Sequence, residues 1–95
     1  MYELFTFSQY LQELMEQNNM TLGHLCQCLG QTRTEVKRLL QTDGTEKQRK
    51  NAFEKIRKAG FFSHESLILL EESLDVSRLG ASRYGFSHAI DKVLK

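Results

Sequence analysis

A chain of 95 residues, 40% hydrophobic and 26% charged, has room for one core, so a single domain over residues 1–95 is expected and disorder is not. No apolar run reaches the roughly 18–20 residues that span a bilayer. The start, Met1-Tyr2-Glu3-Leu4-Phe5, lacks the basic head and long apolar stretch of a signal peptide, so the cytoplasm is the expected compartment.

Thr6-x-x-Gln9 has the spacing of a capping box, with Phe5 and Tyr10 placed as a hydrophobic staple. Phe7, Leu11, Leu14 and Met15 follow at helical spacing, which predicts a first helix running to about Gln17. Thr21 caps a short second helix with Leu22, Leu25, Cys26 and Leu29 on its inner side, and Gly30 closes it. Thr32-x-x-Glu35 opens a third helix with Val36, Leu39 and Leu40 as its apolar stripe, stopped at Asp43-Gly44. Thr45-x-x-Gln48 opens a fourth, in which Ala52, Phe53 and Ile56 stand among many charges before Gly60. Ser63 caps a fifth, with Phe62 and Leu67 as staple and Leu67, Leu70 and Leu74 facing inward. After Leu79-Gly80 a last helix is expected near Ser82 to Leu94. The absence of proline agrees with five to six short helices, and the fold class is all-α.

The net charge of +1 hides an asymmetry. Residues 1–30 carry Glu3, Glu13 and Glu16 with no Lys or Arg. Residues 31–58 carry nine basic groups against Glu35, Asp43, Glu46 and Glu54, a balance of +5. A basic middle is what a localised phosphate-binding face looks like; charge alone leaves a solvated helix face equally open.

The stretch Thr21-Leu22-Gly23-His24-Leu25-Cys26-Gln27-Cys28-Leu29-Gly30-Gln31-Thr32-Arg33-Thr34-Glu35-Val36 resembles the phage-repressor/Cro (lambda-repressor-like) family of helix-turn-helix domains. That family's pattern has T-L-x-x-L-A-x-x-L-G, an aliphatic residue, then S/T-x-x-x-[IV]. Cys26 stands at the small-residue position and Gln31 replaces the aliphatic. With Leu67-x-x-Leu70 and Leu74-Asp75-Val76-Ser77 as the family's last helix, the resemblance covers about residues 7–77. Two positions depart. Met15 and Leu40 stand where the family has an Arg–Glu ion pair, and they are expected to touch and to be buried. Thr45–Gly60 is an extra helix after the recognition helix.

The resemblance implies a sequence-specific regulator of double-stranded DNA, a repressor acting as a homodimer, that presents the helix after Thr32 to the major groove. Arg33, Thr34, Lys37 and Arg38 then read bases. Thr21, Gln31 and Thr32, with Lys47, Arg49 and Lys50, bind phosphates. Residues 82–94 are the expected dimer interface, or lead into further chain. The rival reading is a protein-interaction module on the same fold, such as the antitoxin of a toxin pair.

No enzyme, cofactor or small-molecule ligand is expected. His24-x-Cys26-x-Cys28 cannot converge on a metal, because Cys26 points about 200° around the helix from His24. Glu71-Glu72 cannot form a facing acid pair, His64 and His88 have no neighbouring nucleophile, and Phe61-Phe62 reads as core and staple.

Overall fold

The computed structural model describes residues 5–82, and these are all-helical: α1 (Phe7–Gln17), α2 (Leu22–Leu29), α3 (Arg33–Thr42), α4 (Glu46–Ala59) and α5 (His64–Ser82). The start of each of the first four follows from its cap. Thr6, Thr21, Thr32 and Thr45 all adopt extended backbone and accept an N–H from the residue three places on, satisfying one of the four donors that a helix start leaves without intrahelical partners. In α1, α3 and α4 the box is reciprocal, through Gln9, Glu35 and Gln48. The Phe5 and Tyr10 rings stack at 6.4 Å across the start of α1, as a staple requires.

The apolar stripes meet in one core. Phe7, Leu11, Leu14 and Met15 of α1 join Met20, Leu25 and Leu29 around α2, Val36 and Leu39 of α3, Ala52, Phe53 and Ile56 of α4, then Phe62 and Leu70. α1 packs against both α3 and α5, while α2 packs against α3 and α4. Met15 is buried, but Leu40 is half-buried at the edge of the same cluster. Beside them the Gln12 amide donates to the Leu40 carbonyl at 3.1 Å, joining α1 to α3.

The first turn of α1 is completed from far along the chain. The Phe7 N–H donates to Ser77 Oγ at 2.7 Å and the Ser8 N–H to Asp43 Oδ1 at 3.0 Å. Ser77 is therefore buried on the inner side of α5 with Leu70, and polar residues share a stripe expected from the leucines alone.

Two expectations are corrected. α5 does not end at Leu79-Gly80 but runs through to Ser82. A single glycine costs a helix about 1 kcal/mol, and no proline follows to stop it. Phe61 is not core: it is 40% exposed, with its ring edge-on to His24 and to the buried Phe62. The helix expected over residues 82–94, with His88, lies outside the described residues. Among the described residues no helix is long and apolar enough to cross a membrane.

Candidate nucleic-acid interface

The turn between α2 and α3 is made by Gly30 and Gln31. Gly30 has φ +64°, the left-handed conformation that lacks a Cβ penalty only in glycine. Its N–H and that of Gln31 both donate back to the Cys26 carbonyl, closing α2 in a tight reversal. Thr32 starts α3 at once. Val36 and Leu39 anchor α3 in the core, and helical periodicity turns the residues between them outward.

Arg33, Thr34, Lys37 and Arg38 are all exposed. None of the three cations among them has an ion pair or a side-chain hydrogen bond to another described residue. Thr34 and Arg38 border a groove of about 270 Å³, together with Gln31, Thr32, Glu35, Leu39 and Gln48. Arg33 leans the other way. A Cβ placed on Gly23 would lie 4.0 Å from the Arg33 guanidinium and 3.9 Å from Thr21 Oγ1. The structure thus brings Arg33 to the start of α2, beside the Thr21 cap.

The phosphate-binding set divides. Thr21 has His24 at the third position of its helix, with no carboxylate to reach back, so its own N–H has no acceptor among the described residues. Thr32 differs. Its N–H donates to Glu35 Oε1 at 3.0 Å and its hydroxyl to the same oxygen at 3.1 Å. The expectation that the Thr32 amide is open to a phosphate is therefore corrected: a reciprocal cap occupies it. These bonds also hold the Glu35 carboxyl below its ordinary range. Gln31 has used its N–H in the turn, and its half-buried side chain faces the groove.

On α4, Lys47 is exposed and Lys50 sits 4.0 Å from Glu46. Arg49 is corrected outright as a phosphate ligand. It is 2% exposed, and its guanidinium donates to the Asp43 and Gly44 carbonyls at 3.0 and 2.8 Å, with the Asp43 carboxylate 3.8 Å away. Asp43 is a non-glycine residue at φ +67°, followed by Gly44 at φ +59°. That bend aims two carbonyls at one spot, and Arg49 meets them there.

Glu35 and Gln48 are the polar groove residues that the sequence reading missed. Both were recognised as capping partners, and the signal lay in that same spacing: the third residue of a cap lies beside the helix start, where a groove-facing turn begins. His24 is engaged by Phe61 at 4.7 Å, and Cys26 and Cys28 are free, half-buried thiols packed on the core. Among the described residues no three His, Cys, Asp or Glu side chains converge on a point that could hold a metal. Comparison with protein-family models, with curated proteins and with solved structures finds no match to this chain.

Proposed function

We propose that the chain is a cytoplasmic, sequence-specific regulator of double-stranded DNA, a repressor acting as a homodimer, that lays α3 in the major groove. The observation that carries this reading is the outer face of α3. Its cations are exposed, have no partner among the described residues and are held on a helix whose other side is fixed in the core. Unpaired guanidinium groups on a rigid helix suit bidentate contact with guanine O6 and N7. In this arrangement Arg38 and Thr34 address base edges from the groove side. Lys37 takes a base or a phosphate, and Arg33 joins Thr21 on the DNA backbone at the start of α2. Dimerisation follows from information: one half-site of a few base pairs is too short to be found in a genome.

Selection from random duplex oligonucleotides at two salt concentrations tests the reading. A preferred motif should emerge. On it Arg38→Ala should cost about 1–3 kcal/mol and relax one position, whereas Lys50→Ala should weaken all sequences alike and lower the salt slope by about 1. Equal losses on specific and random DNA for both variants would sink the assignment. A second reading, partner binding of the antitoxin kind, draws on exposed Phe61, Ile68 and Leu69. It expects capture of a protein, little salt dependence and no DNA shift.

A further inference from the structure

We infer that Glu35 makes the α3 surface select a cytosine, its outward carboxylate oxygen accepting from the N4 amino group while repelling base edges that offer acceptors. The inference rests on the DNA-binding reading above and names a base that this surface would read.

The geometry begins with the cap. Thr32 holds Glu35 Oε1 through both its N–H and its hydroxyl, which fixes the carboxylate and leaves Oε2 without a partner among the described residues. The side chain is exposed and borders the groove with Thr34 and Arg38. Glu35 and Arg38 stand three residues apart on one helix. At that same spacing Glu54 pairs with Arg57, and Asp75 with Arg78. Glu35 and Arg38 form no such pair, because Thr32 holds the acid back toward the helix start. Acid and base therefore both stay open to the groove, a fixed acceptor beside a free donor.

A fixed anion is an awkward neighbour for DNA. Phosphates repel it, and guanine O6 and N7 and thymine O4 offer it only further lone pairs. Cytosine is the base whose own major-groove edge presents a donor, N4, and no acceptor; adenine N6 comes with N7 on the same base. The bonds from Thr32 lower the Glu35 pKa, so the group is an ionised acceptor at neutral pH. Selection by penalising the wrong bases is a recognised source of specificity.

A bare capping role is separable from this one within the same chain. α1 and α4 close reciprocal boxes with Gln9 and Gln48 at the corresponding position. Glu35→Gln should therefore keep the cap and exchange the outward oxygen for an amide N–H donor. In the oligonucleotide selection, wild-type protein should favour cytosine about tenfold at one position of its motif. Glu35→Gln should abolish that preference or move it to guanine or thymine, leaving the other positions unchanged. A wild-type motif that Glu35→Gln leaves intact overturns the inference while the DNA-binding reading stands. Absence of any DNA binding by wild type overturns both. A second measurement needs no variant: replacing the selected cytosine by 2-pyrimidinone, which lacks the amino group, should lower wild-type affinity about tenfold. No loss there overturns the inference as well.

Discussion

α3 and α4 look alike as sequence and differ as structure. Each opens with a threonine capping box and each is rich in Lys and Arg. On α3 the cations face solvent without partners among the described residues. On α4 most of them have partners: Arg49 is buried in the bend before its own helix, Lys55 Nζ donates to the Leu29 carbonyl at 2.9 Å, and Arg57 and Lys50 pair with Glu54 and Glu46. Charge counted along a chain is thus not charge offered to a ligand. Where a cation lies near carbonyls that a turn has left unsatisfied, structure takes it first.

The largest test of this contrast is Arg49→Ala. It would leave two carbonyls and the Asp43 carboxylate without their cation, so we expect a loss of about 3 kcal/mol in urea or thermal unfolding. If α3 binds DNA as proposed, affinity per folded molecule should be unchanged. A variant that folds as stably as wild type but binds DNA more weakly would return Arg49 to the phosphate-binding set and break the comparison.

The bend itself is the next target. A Cβ on Gly44 would stand 2.6 Å from Gln48 Oε1 and 2.8 Å from Leu39 Cδ1, at a φ of +59°. At Gly30, with φ +64°, it would meet nothing within 4 Å. Gly44→Ala should therefore cost about 2–3 kcal/mol and Gly30→Ala about 1 kcal/mol, the second from backbone strain alone. Equal losses in parallel melts would mean that the α3–α4 bend is no more tightly built than the α2–α3 turn.

The smallest effect is one of pH. Glu35 has its folded pKa lowered by the Thr32 bonds, so its contribution to stability is present above the ordinary Glu value. It is lost as pH falls through the lower folded value. Unfolding followed as the solution is acidified should show wild type losing stability relative to Glu35→Gln, whose cap has no proton to gain. Parallel curves would mean that the carboxylate is not held by Thr32 in solution.

What was legible in the sequence was local. Four threonines at cap spacing, Gly30 and Gly60 at helix ends and the apolar stripes of α1 to α4 each act within a turn or two of chain; the caps and the glycine ends are found where they were read, and the stripes too, except that Leu40 is half-buried. What escaped was decided across the fold. Nothing beside Arg49 in the sequence says that the Asp43 bend will aim its carbonyls there. Nothing beside Ser77 says that it will meet the first amide of α1. The ring partner of exposed Phe61 is His24, with the rest of α2 and all of α3 and α4 between them in the chain. For the candidate site the division is the same: the outward face of α3 follows from periodicity, whereas the separation of Glu35 from Arg38 follows from a hydrogen bond.

The bond from the Phe7 N–H to Ser77 has a consequence for the order in which the protein is made. α2 and α3 have been synthesised by residue 42, but the partner of α1's first amide arrives 35 residues later, 70 residues from Phe7 itself. Translation at about 5–20 residues per second puts a delay of a few seconds between the two. During it Phe7 and Leu11, wholly buried in the finished protein, lack the α5 side of their pocket. A nascent chain stopped after Gly60 carries every residue of the α3 surface without the helix that seats α1. The pocket that buries Phe7 and Leu11 is thus completed only once α5 has emerged.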